Sequence, residues 1–183
     1  MDLASVQNEI ERVVVTEEQL QKRLKEIAQQ IEADYQDEDL LLVGVLKGAV
    51  MAMADLSRYI DRHLDMDWMA VSSYGSGTKS SGVVRILKDL DKDITGRNVV
   101  IVEDIVDTGL TLDWLSSNLK SRGAKSVEIM TVLRKPDSAQ VKVDVKYVGF
   151  DIPKDFVIGY GLDYNEKYRN LPFIAVLAKH IYE

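Results

Sequence analysis

Residues 99–111 read VVIVEDIVDTGLT: four apolar β-formers, two adjacent carboxylates, two further apolar residues, then Asp-Thr-Gly-Leu-Thr. An unbroken Val/Ile run with no polar alternation is the pattern of a strand buried on both faces, which places residues 99–102 in the middle of a parallel sheet in an α/β domain. Glu103 and Asp104 then fall at the carboxyl end of that strand, the rim where ligands bind in open α/β sheets. Asp107, Thr108 and Gly109 carry the turn into a helix.

That turn has a specific chemical use. Small residues and hydroxyls at a helix start leave backbone N–H groups free to surround an anion, and the helix dipole adds roughly 0.3–1 kcal/mol. The dipole alone is too weak to hold a phosphate dianion. Charge-assisted hydrogen bonds of about 1.5–3 kcal/mol each must supply the rest, and Thr108, Gly109, Thr111 and the loop amides are placed to make them. Glu103 and Asp104 would repel a phosphate. They are expected to face its neutral neighbours, such as sugar hydroxyls, or a bridging divalent cation.

Composition narrows the partners. The 183 residues are 46% hydrophobic, enough for one substantial core with a small appended subdomain. A formal charge of −7 argues against nucleic acid or an anionic membrane as the main partner. It would also repel a polyphosphorylated substrate at long range, unless magnesium accompanies that substrate. With no cysteine, neither a disulfide framework nor a thiolate metal site exists, and a cytoplasmic location is expected. No stretch has the length of a membrane span.

Outward from the central stretch, the pattern alternates strand and helix. Thr16 and Gln19 form a capping box after residues 10–15, opening an amphipathic helix to about Asp34 along Leu20, Leu24, Ile27 and Ile31. Residues 40–45 read as a buried strand, and Leu46-Lys47-Gly48 leads into a helix expected over 49–64. Residues 68–74 have strand character. The Gly/Ser-rich segment 75–82 is expected to act as a lid, with 83–87 as a returning strand. After the central strand, a helix marked by Leu112, Leu115 and Leu119 stops at Gly123, and residues 127–133 form the next parallel strand. Arg134-Lys135-Pro136 ends it at the same rim. Residues 147–172, YVGFDIPKDFVIGYGLDYNEKYRNLP, read as an irregular sheet-edge excursion returning to a strand at 173–177.

The acidic pair followed by DTGLT resembles the ribose-phosphate signature of phosphoribosyltransferases. With Leu46-Lys47-Gly48, Ser73-Tyr74, Lys135 and the 147–172 segment, the chain resembles the hypoxanthine-guanine members of that family from residue 40 onward. The resemblance implies a doubly wound, mainly parallel α/β sheet flanked by helices, with a small purine-binding hood formed mainly by the C-terminal segment, to which the N-terminal residues can contribute. It implies that Lys47, Gly48 and Arg169 bind pyrophosphate, often with a non-proline cis peptide before the lysine. Lys135 would hydrogen-bond the purine's exocyclic oxygen, Phe156 would stack on the base and Val157 would offer it backbone groups. Asp163 would bind magnesium, and Ser73 and Tyr74 would anchor the lid. Asp107, facing the base, is the expected proton acceptor or charge stabiliser.

The reaction so implied joins hypoxanthine or guanine to phosphoribosyl pyrophosphate in a homodimer or homotetramer. Two other readings stand beside it. A regulatory protein of the same fold that binds RNA would need a basic face. A transferase for another base, such as xanthine, adenine, orotate or uracil, would keep the central motif; for adenine, orotate or uracil the Lys135 and Phe156-to-Arg169 pattern should be missing.

Overall fold

The structure, a computed structural model, describes residues 1–74 and 83–182. The expected lid at 75–82 lies outside the described residues. Two sheets organise the rest. The larger has six strands in the order β4-β3-β2-β5-β6-β7, formed by β2 (Leu40–Leu46), β3 (Asp65–Tyr74), β4 (Val83–Lys88), β5 (Asn98–Val106), β6 (Ser126–Arg134) and β7 (Tyr147–Asp151). Every neighbouring pair is parallel except β3 and β4. The smaller joins β1 (Ile10–Val15), β9 (Ile174–Leu177) and β8 (Val157–Ile158), all antiparallel.

Period-2 alternation along β5 divides the core. Val100 and Val102 pack with α1 (Glu17–Tyr35) and α2 (Val50–Tyr59) on one face, whereas Val99 and Ile101 pack with α3 (Leu110–Ser121) on the other. The sheet is therefore doubly wound, with its central strand dry on both sides, as the apolar run requires. A third cluster, including Val6, Ile158, Leu171 and Leu177, fills the space under the small sheet.

Local signals mostly hold. The Thr16 and Gln19 capping box is formed in both directions, and α1 buries Leu20, Leu24, Ile27 and Ile31. Three boundaries differ. Helix α2 ends at Tyr59 rather than Leu64, because Ile60 turns to extended backbone and the chain enters β3 at Asp65, before the expected start. Strand β5 runs to Val106 rather than ending with the apolar run at residue 102, and Glu103 and Asp104 lie among its last residues, at the expected carboxyl end. The start of the 147–172 segment is a regular edge strand, β7, paired in parallel with β6 from Met130 and Tyr147 onward. No helix among the described residues is long and apolar enough to cross a membrane.

Candidate active site

Because β5 continues past its apolar run, its alternation sends Glu103 and Asp104 to opposite faces at the sheet's carboxyl rim. Both carboxylates nevertheless border one cleft of about 260 Å³, lined also by Gly48, Asp107, Thr108, Gly109 and Thr111. The two acids are partly buried. Loss of hydration, reinforced by the neighbouring Asp104 charge, pushes the Glu103 carboxyl well above its ordinary range. Burial likewise raises Asp104 to about 6, against a hydrogen bond from the Ile105 N–H and the attraction of Arg169. Such groups gain from a cation or from hydroxyl donors.

The phosphate loop is built by the turn from β5 into α3. Gly109, at φ +83°, is the residue before the helix, and no side chain caps that end. The N-terminal amides of α3 are thereby left for a ligand in the cleft. The loop is held from behind by Gln140 and Val141, whose N–H groups donate to the Thr108 carbonyl at 3.0 and 3.3 Å.

Lys135 follows β6 and donates its backbone N–H to the Val106 carbonyl at 2.9 Å, which ties the two strand ends together. Its side chain is 11% exposed, and its Nζ stands 3.5 Å from Asp107 Oδ2. These two residues also line a second recess beside the first, so Asp107 borders both.

The Leu46–Lys47 peptide is cis, as the resemblance implied. Gly48 abuts the other acid: a Cβ there would stand 1.6 Å from Asp104 Oδ2. Gly161 lies against the same loop, where its Cβ would meet the Gly48 carbonyl oxygen at 1.9 Å. Arg169 donates from Nη1 to the Gly161 carbonyl at 2.7 Å and from Nη2 to Asp163 at 2.8 Å and Glu166 at 3.2 Å. Lys47 Nζ reaches Glu166 at 2.8 Å. The two cations and Asp163 thus meet around one carboxylate, Glu166, which the sequence reading did not single out. Its signal is a charged residue in the tight turn Tyr164 to Lys167.

Phe156 is 42% exposed and touches the rings of Tyr164 edge-on at 5.9 Å and Tyr182 at 5.3 Å between centroids. Val157 is buried at the start of β8, paired with Val176. The backbones of Ser73 and Tyr74 end β3, opposite Val84 and Val83. A further link missed in the sequence anchors this side: Tyr160, buried at φ +51°, donates its hydroxyl to Asp55 on α2 at 2.6 Å, and Gln21 on α1 donates to the same carboxylate.

A family model for the phosphoribosyl transferase domain matches residues 14–165. The chain belongs to the phosphoribosyltransferases. Among members of that family, the hypoxanthine-guanine phosphoribosyltransferase of Mycobacterium tuberculosis is 55% identical over 96% of this chain and 90% of its own. The Bacillus subtilis hypoxanthine-guanine phosphoribosyltransferase is 49% identical over 97% and 99%. A solved hypoxanthine phosphoribosyltransferase from Staphylococcus aureus superposes with a TM-score of 0.95 at 47% identity, covering 98% of this chain and 97% of its own. That structure shares the mainly parallel sheet and its flanking helices along nearly the whole chain.

Proposed function

We infer that the protein transfers the 5-phosphoribosyl group from phosphoribosyl pyrophosphate to hypoxanthine or guanine, releasing pyrophosphate, as a purine-salvage enzyme. The observation that carries this reading is the cleft at the end of β5, with two poorly hydrated carboxylates and an open amide loop, in a chain so close to the mycobacterial enzyme. Glu103 and Asp104 are suited to ribose hydroxyls, which donate to carboxylates and satisfy them. Thr108, Gly109, Thr111 and the α3 amides are suited to the 5-phosphate.

Breaking the bond at the anomeric carbon develops positive charge on the ribose and negative charge on the leaving pyrophosphate. Lys47, the Gly48 backbone and Arg169 would stabilise the leaving group, and charges presented there act most on the transition state. Asp107, at the border of both recesses, accepts the proton of the attacking purine nitrogen or balances charge on the ring. Lys135 offers only donors, so it pairs with an oxopurine oxygen and leaves adenine's amino group without a partner. Phe156 supplies a stacking face, Val157 backbone groups, and Ser73 and Tyr74 the base of a lid. The small sheet of β1, β8 and β9 serves as the hood.

The donors fit magnesium. Asp163 offers carboxylate oxygens close enough for its charge to act on Asp104, and Glu103 and Asp104 offer others at the cleft. Magnesium takes one or two carboxylates along with waters and substrate phosphates, so it needs no larger cluster, and none of three or more acidic or His side chains occurs among the described residues. When bound, it neutralises pyrophosphate charge. A cytoplasmic homodimer or homotetramer completes the proposal.

The test is to offer phosphoribosyl pyrophosphate and magnesium separately with hypoxanthine, guanine, xanthine, adenine, orotate and uracil, scoring nucleotide formed. Product from hypoxanthine and guanine but not from adenine, orotate or uracil is expected. Failure with both oxopurines would overturn the reading.

A further inference from the structure

The cations assigned above to the leaving group are already occupied. Lys47 Nζ lies 2.8 Å from Glu166 Oε2 and Arg169 Nη2 lies 3.2 Å from Glu166 Oε1, so one carboxylate spans both. It is held there by a turn that disfavours it. Tyr164 and Lys167 exchange both backbone hydrogen bonds, at 3.2 and 3.0 Å, enclosing Asn165 at φ +51° and Glu166 at φ +62°. The second position of such a two-residue loop suits glycine, and a side chain there costs stability. The Glu166 N–H is fastened to Asp163 Oδ2 at 2.8 Å, fixing the turn beside the loop of Lys47.

Glu166 is not what holds Arg169 or the backbone of the Lys47 loop in place. Arg169 is independently anchored on the Gly161 carbonyl and Asp163, and the backbone of the Lys47 loop is bonded through Ala49 to Val45 and Val50 to Lys47. The side chains of Lys47 and Glu166 are 66% and 64% exposed, so an incoming polyanion can replace the carboxylate at small cost. We propose that Glu166 is a resident counter-anion of the leaving-group site, which competes with pyrophosphate for Lys47 and Arg169 and thereby loosens the enzyme's hold on it. Two cations that would otherwise bind the product too firmly are returned to a neutralised state as it departs. The proposal rests on the assignment of Lys47 and Arg169 to pyrophosphate.

Calorimetric titration of pyrophosphate with magnesium into the full-length protein tests it, using Glu166→Gln and Glu166→Gly, the latter also relieving the turn. Both variants are expected to bind pyrophosphate about threefold to tenfold more tightly than the parent at low salt, as loss of one or two exposed ion pairs implies. The difference should narrow at 0.5 M salt, on the order of a 4 Å screening length, while the KM for hypoxanthine stays the same. Unchanged or weaker pyrophosphate binding in both variants, with Lys47→Ala still weakening it, would overturn the role of Glu166 alone. Pyrophosphate binding indifferent to Lys47→Ala and Arg169→Ala would overturn the site assignment beneath it.

Discussion

Gly48 and the Asp104 carboxylate are in such close contact that a methyl group on the glycine would stand 1.6 Å from Oδ2. The obstacle is a short side chain at the end of a central strand, with Oδ1 already bonded to the Ile105 N–H, so it has little room to withdraw. Gly48→Ala is therefore expected to displace Asp104 from the cleft. Steady-state kinetics should show the KM for phosphoribosyl pyrophosphate rising at least about tenfold, equivalent to about 1.4 kcal/mol of lost binding. The KM for hypoxanthine should change much less.

Asp104→Asn separates stability from function. A carboxyl whose pKa rises from 3.8 to about 6 on folding binds its proton more tightly in the native state, so its ionisation opposes folding. That cost is absent below about pH 4, grows up to pH 6 and is then constant, at on the order of 3 kcal/mol for a shift of this size. Urea denaturation without ligands should find the asparagine variant more stable than the parent at pH 7.5, with the gain shrinking toward pH 4.5. The same variant should bind phosphoribosyl pyrophosphate poorly. A gain independent of pH would refute the ionisation account.

Asp107→Asn keeps the shape of the loop and removes its charge. Turnover is expected to fall about 100- to 10,000-fold, the usual span for loss of a general base or acid. Phosphoribosyl pyrophosphate binding, measured by equilibrium titration, should remain largely intact.

Lys135→Ala addresses base choice. With its Nζ 3.5 Å from Asp107 and little contact with water, the lysine is held in one direction by its surroundings. Its loss should lower kcat/KM for hypoxanthine far more than for adenine, eroding the preference by about tenfold or more, since a lost charge-assisted hydrogen bond is worth about 1.5–3 kcal/mol. An unaltered ratio of the two specificity constants would remove that contact from the account.

The spine of the fold was legible because its strands are buried on both faces and its first helix carries a reciprocal cap. Residues 99–102 and the Thr16 box need no distant partner to be recognised. The small sheet was not legible in the same way: β1 and β9 pair across almost the whole chain, from Ile10 with Leu177 to Val15 with Ile174, and neither strand specifies the other locally. The apolar pattern after Lys47 outruns the helix because it persists into β3, where Asp65 already pairs with Leu41. Within the site, the acidic pair and the amide loop stand together in sequence and were found together. Glu166 and the Tyr160–Asp55 bond were missed because a charge in a turn reads as solvated surface, and a tyrosine among glycines gives no sign of which helix it meets.

The pairing of β1 with β9 also orders events in synthesis. A chain emerging from the ribosome presents β2, β5, the phosphate loop and β6 before Ile174 appears, so the small sheet closes only at the end of synthesis. Phe156 and Val157 therefore lack the strand behind them until the last residues are made, and so does the core face of β5, where Val100 and Val102 share a cluster with Val157, Ile174 and Val176.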